Sequence, residues 1–198
     1  MEKLKTSLIF LTFSCIFIST PTAHADKQIP DNGTKNSWFE NICKGRENIA
    51  KLHFYVQDVR SGPNTTAFNV ASSAVASPGS LTRFAEVNVL DDKLTAAPEL
   101  DSEEIGRVQG LTASADMRVR AISLSLNFVF TSGKYNGSTI TIVGRNQLGD
   151  KQRELPVVGG TGIFRFARGY ALTTTYLNDA VANRTVLEYS IYVTSTIG

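Results

Sequence analysis

Ala121-Ile122-Ser123-Leu124-Ser125-Leu126-Asn127-Phe128-Val129-Phe130-Thr131 decides the fold class. Ile122, Leu124, Leu126, Phe128 and Phe130 share one face of this run, while Ser123, Ser125, Asn127 and Val129 share the other. Successive Cβ atoms of a strand point to opposite sides, so a period of two marks a strand with one buried face. Upstream, Leu52, Phe54 and Val56 alternate with His53, Tyr55 and Gln57; downstream, Thr139–Val143 and Val186–Val193 continue the pattern. Turn signals separate the runs at Ser61-Gly62-Pro63-Asn64, Ser77-Pro78-Gly79-Ser80, Asn136-Gly137 and Gly159-Gly160. Asn136-Gly137 predicts a two-residue type I′ hairpin, in which both central residues take positive φ. About eight or nine closely spaced strands, with no amphipathic helix of normal length, indicate an all-β domain, either a sandwich or a closed barrel.

Outward from this core, the N-terminus reads as a secretory signal over residues 1–25. Lys3 and Lys5 precede an apolar run from Leu8 to Ile18, and Ala23-His24-Ala25 supplies a small-x-small cleavage site. The run is too short to span a bilayer, which takes roughly 20 apolar residues. The product is therefore expected to be secreted into the extracellular space, with no membrane span. Residues 26–48 are polar and without period; they read as a flexible N-terminal arm with a helical turn around Trp38–Cys43, ahead of a domain over 49–198. Four N-x-Ser/Thr sequons, at Asn32, Asn64, Asn136 and Asn183, fit the same route.

The 198-residue chain has 20 basic and 18 acidic side chains, a formal net charge of +2. That balance argues against a nucleic-acid partner, whose phosphates call for a basic patch. Of the two cysteines, Cys15 falls within the leader, so Cys43 has no intramolecular partner and is read as a spare thiol, with an intermolecular link as the alternative. One histidine outside the leader, His53, and one cysteine do not make a zinc ligand set, and no nucleophile elbow is present, so neither a metal nor a cofactor is expected. His53 reads as an ordinary polar residue on a strand surface. Gly159-Gly160-Thr161-Gly162 lacks the Lys-Ser/Thr of a phosphate loop and reads as a turn between strands. Asp91-Asp92 reads as a turn capping its own backbone. Asp58, ending the first strand, and Arg153, just before Leu155-Pro156-Val157-Val158, are costly in a barrel lumen unless a cavity uses them; the residues alone leave that choice open.

In order along the chain come Leu52-His53-Phe54-Tyr55-Val56-Gln57-Asp58, Phe84-Ala85-Glu86-Val87-Asn88-Val89-Leu90-Asp91-Asp92, Ile105-Gly106-Arg107-Val108-Gln109-Gly110, Phe128-Val129-Phe130-Thr131, Arg153-Glu154-Leu155-Pro156-Val157-Val158-Gly159-Gly160-Thr161-Gly162 and Phe166-Ala167-Arg168-Gly169-Tyr170-Ala171. This series resembles the plant dirigent protein family from Ala50 onward. The resemblance implies an eight-stranded antiparallel β-barrel similar to allene oxide cyclase, with a central apolar cavity, assembled as a homo-oligomer (dimer or trimer). It also implies a role as a non-catalytic guide. A separate laccase or peroxidase makes phenoxy radicals from monolignols such as coniferyl alcohol, and the barrel holds them so that they couple to an optically active lignan. Two other roles within the resemblance are a pterocarpan-synthase-like dehydratase acting on isoflavanols through a quinone methide, and a wall protein guiding lignin deposition.

By the same resemblance Asp58 is a hydrogen-bond partner or acid toward a quinone-methide oxygen, and Arg153 an orienting cation. Asn146 stands where lignan-forming members carry a second aspartate. Thr112 and Ser114 stand where they carry cavity tyrosines. Members often pair a cysteine before the first strand with one near the C-terminus, and this chain has no such second cysteine.

Overall fold

The computed structural model describes residues 47–73 and 81–196. The leader, nearly all of the arm, Asn32, Cys43 and the Ser77–Ser80 turn lie outside the described residues. Nine strands follow in sequence: β1 (Glu47–Val59), β2 (Ala67–Ala71), β3 (Val87–Thr95), β4 (Glu104–Ser114), β5 (Ala121–Phe130), β6 (Thr139–Gln147), β7 (Gln152–Thr161), β8 (Arg168–Asp179) and β9 (Arg184–Thr196).

All neighbours are antiparallel, in the order β1-β9-β8-β7-β6-β5-β4-β3-β2, and β1 also pairs with β3. That extra pairing closes eight strands into a ring and leaves β2 as a short edge strand against β3. Between barrel and sandwich, the structure is therefore a barrel. The closing seam is brief, Tyr55–Gln57 against Lys93–Thr95. A side-chain clasp reinforces it: Gln57 Nε2 donates to Thr95 Oγ1 and to the Pro98 carbonyl, both at 3.1 Å. On its other edge β1 runs beside β9 along its whole length, from Glu47 opposite Thr196 to Val59 opposite Arg184.

The period-two reading holds. Leu124, Leu126, Phe128 and Phe130 are buried along β5, as are Leu52, Phe54 and Val56 along β1. Their inner faces fill one end of the barrel with rings. Phe54 lies 5.5 Å from Phe128, Phe128 lies 5.2 Å from Tyr189, and Phe130 lies 5.7 Å from both Tyr135 and Phe164. Tilted and edge-on pairs at these centroid distances each add about 1 kcal/mol beyond the area they bury.

Three local expectations are corrected. Asn136-Gly137 is not a type I′ turn: Asn136 has φ −48° and ψ 133° and only Gly137 has positive φ, at 78°. Ser138 N–H donates to the Tyr135 carbonyl at 3.0 Å, the pattern of a type II turn. Residues 131–138 make a longer connection with a 3₁₀ turn at Gly133–Tyr135, so the hairpin does not demand the two-residue geometry. Gly159-Gly160 lies inside β7, and the chain turns only after it, at Gly162–Phe164. A Cβ on Gly160 would come within 2.4 Å of the Thr139 carbonyl oxygen and 2.8 Å of Phe164, so glycine there allows close backbone approach rather than reversal. Asp91-Asp92 is likewise no turn but the middle of β3. Asp91 faces outward to Arg107 at 2.9 Å, and Asp92 faces inward with 2% exposure.

Candidate functional site

Opposite the ring-filled end, the barrel holds a cavity of about 480 Å³. Val56, Leu90, Val108, Ile122, Leu124, Leu126 and Leu187 give it an apolar wall, and Tyr189 links it to the packed end. Burial pushes the Tyr189 phenol up to about 12, so it stays a neutral O–H near neutral pH. The volume lies within the range of small-molecule sites, and apolar walls with few polar groups are their usual lining.

The polar groups fall on two walls. On β1 and just beyond it, Asp58 (5% exposed) accepts from Arg60 through one oxygen: Nη2 at 2.7 Å and Nε at 3.0 Å reach Oδ2. Neighbouring β3 contributes Asp92, whose Oδ1 accepts a 2.6 Å hydrogen bond from Thr66 Oγ1. Burial, and then the charge of Asp58, push the Asp92 carboxyl up to about 7. Two carboxyls in one apolar setting resist double ionisation, so Asp92 keeps its proton to near-neutral pH and can donate it.

Across the ring, three or four strands from β1 and β3, stand β6 and β7. Arg153 on β7 is 5% exposed; its Nη1 donates to the Asp150 carbonyl at 3.3 Å and to Thr175 Oγ1 at 3.1 Å. Burial lowers its pKa, yet a guanidinium stays a cation in proteins. Asn146 on β6 is 3% exposed and lines the same cavity. Arg120, ahead of β5, completes this side. Its loop is held by Asp116, whose Oδ1 accepts from the N–H groups of Arg118 and Val119 and whose Oδ2 meets Arg145 at 2.9 Å.

Among the described residues, five buried side-chain N or O atoms have no hydrogen-bond partner, and three of them are Asp58 Oδ1, Asn146 Oδ1 and Arg153 Nε. Buried polar groups are nearly always satisfied, so orphans gathered in one cavity point to a guest that satisfies them. The structure thus brings together Asp58, Asn146 and Arg153, with Thr112 on the wall beside them. Ser114 is not in the cavity lining; it is buried at the end of β4, where its backbone bonds to Ala85 and Glu86. His53 sits on the outer face, 2.8 Å from Glu188. Asn64, Asn136 and Asn183 lie in loops and turns.

Sequence reasoning missed Asp92, Arg60, Arg120 and Tyr189. For Asp92 the signal was present: Leu90, Asp92 and Leu94 continue the inward alternation straight through the acidic pair. Arg60 keeps the parity of Asp58. Arg120 comes from a loop, where no period applies.

Comparison with known proteins accords with this geometry. The family described as Dirigent-like protein matches residues 49–194. Dirigent protein 21 of Arabidopsis thaliana is 44% identical over 147 residues, covering 74% of this chain and 77% of its own. Dirigent protein 11 of the same plant is 41% identical over 186 residues, covering 94% and 92%. Among solved structures, the pterocarpan synthase dirigent protein GePTS1 superposes with a TM-score of 0.72 at 38% identity, over 77% of this chain and 88% of that one.

Proposed function

This chain belongs to the dirigent-like protein family, and we propose that its barrel seats a phenolic guest and fixes the face on which that guest reacts. The supporting observation is the cavity itself, with unsatisfied polar atoms on opposed walls and apolar side chains between them. Held by its hydroxyl at the Asp58 wall and by its far end at Arg153, a flat guest presents one face only. Orientation of that kind selects a stereoisomer without the protein supplying electrons. The lead reading is therefore stereoselective coupling of phenoxy radicals made by a separate laccase or peroxidase, as a secreted protein of the apoplast. Chiral chromatography of the products, with and without the purified protein in an oxidase reaction, tests it. Enantiomeric excess should rise while phenol consumption stays constant; racemic products across a panel of monolignols would count against it.

A second reading, dehydration of an isoflavanol, is favoured by Asp92 and by the likeness to the pterocarpan synthase structure. Asp92 would give its proton to the leaving hydroxyl as the C–O bond breaks and water departs, while the guest phenol gives its proton to Asp58 and becomes a quinone methide. Ring closure by a second phenol oxygen returns one proton from Asp58 to the guest and one from the attacking hydroxyl to Asp92, restoring both carboxyls. Turnover without oxidant, lost in Asp92→Asn, is the expected sign. No turnover of any isoflavanol removes this reading and leaves the first intact.

A further inference from the structure

The two cavity walls differ in how their charges are balanced. On the β1–β3 side opposite charges meet, Asp58 with Arg60 at 2.7 Å and Arg83 with Glu86 at 3.4 Å, while Asp92 accepts from Thr66 at 2.6 Å. On the β6–β7 side the two cavity-lining arginines, Arg120 and Arg153, have no carboxylate partner among the described residues. Arg153 meets only a carbonyl and a hydroxyl, its Nε has no acceptor, and no carboxylate of the described residues pairs with it. Glu154, the next residue, is exposed while Arg153 is buried, and Asp150 turns its carboxylate to Gln147 Nε2 at 2.8 Å. Arg120 lines the same cavity with no side-chain partner among the described residues. Both arginines are tied to one short turn, since Leu148 N–H donates to the Arg120 carbonyl while Arg153 donates to that of Asp150.

A buried guanidinium without a counter-charge is expensive, and proteins tolerate it where a ligand brings the missing anion. The guanidinium fork matches a carboxylate in particular. The orphan Asp58 Oδ1 on the far wall asks for the reverse, a hydroxyl donor. An eight-stranded barrel has room for about one small ligand across its bore.

We propose that the preferred guest is an acidic phenol, of the hydroxycinnamate class, lying across the barrel with its carboxylate on Arg153 beneath Arg120 and its phenol O–H on Asp58. This rests on the reading of the cavity as a phenol site and adds the charge of the guest to it. Half a turn of the Asn146 amide would offer N–H donors to the same carboxylate.

The test is calorimetric titration of the purified protein at pH 7 with 4-hydroxy-3-methoxycinnamic acid, its methyl ester and the corresponding alcohol. The three share the phenol and differ at the far end. A charged hydrogen bond of this kind should favour the acid by roughly 10- to 100-fold. Arg153→Met should reduce that preference to within about threefold, mainly by weakening the acid, and Arg120→Gln, at an exposed position, should reduce it by a smaller factor. Equal binding of acid and ester by the wild-type protein, or tighter binding of the ester or alcohol, overturns the charge inference and leaves the phenol site standing. Failure of all three to bind overturns the phenol site, and this inference with it.

Discussion

The two ends of the barrel are made from the same strands and obey opposite rules. At one end inward side chains are aromatic or branched and meet each other: Phe54, Phe128, Phe130 and Phe164 are at most 3% exposed. At the other, the same alternation delivers Asp58, Asp92, Asn146 and Arg153, which are at most 5% exposed, and Asp58, Asn146 and Arg153 each keep an atom with no hydrogen-bond partner. The packed end carries stability, so the open end can keep polar atoms that would otherwise be costly. The two ends should respond differently to mutation.

The largest effect is expected at the packed end. Phe128 is fully buried and meets both Phe54 and Tyr189. Phe128→Ala leaves a cavity and should cost about 3–5 kcal/mol. A fall in melting temperature on the order of 10 °C should follow. A fall of a degree or two would mean that the end is loosely packed, and the contrast would collapse.

Asp58→Asn probes the open end. Arg60, its partner, is half exposed, so the freed cation can be hydrated and folding should change little. Stereochemical guidance should be lost, with enantiomeric excess falling to near zero while melting shifts by no more than a few degrees. Equal damage to stability and guidance would make Asp58 part of the scaffold.

Much of this division was legible from residues alone, and the exceptions are instructive. Period two marked β1, β5, β6 and β9, because inward positions at both ends share a parity. Family likeness singled out Asp58, Asn146 and Arg153, which parity could place but not interpret. Asp92 was lost because adjacent acids resemble a capped turn, which masks the alternation of Leu90, Asp92 and Leu94, and pairing with Val108 on β4 shows the strand running through them. The choice of barrel over sandwich rests on the three-residue seam between β1 and β3, whose clasp joins residues far apart in sequence. Arg120 reaches the cavity from a loop, so nothing periodic announces it.

Asp92 supplies a pH test of the open end. Its carboxyl is raised from 3.8 to about 7, chiefly by burial and next by Asp58, with Thr66, Arg60 and Arg107 pulling it back. The folded state thus holds a proton that the unfolded chain has released. Folding loses stability as pH climbs from about 4, and the loss levels off above about 7. A shift of about three units sets a ceiling near 4 kcal/mol. Asp92→Asn should therefore raise the melting temperature by several degrees at pH 8 and by little at pH 4. An equal rise at both would assign the effect to packing.

The smallest effects separate two neighbours on β4. Thr112 lines the cavity, whereas Ser114, two residues along the same face, is covered at the strand end. Thr112→Tyr would project a ring into space meant for a guest, and the open end can accommodate it without displacing packed side chains. Guest binding should weaken several-fold while melting stays within about two degrees. Ser114→Ala removes a hydroxyl away from the guest and should leave binding unchanged, with a stability cost of at most about 1 kcal/mol. If Ser114→Ala weakened binding as much as Thr112→Tyr, the cavity would extend past the wall drawn here, and the boundary between the end that packs and the end that binds would move with it.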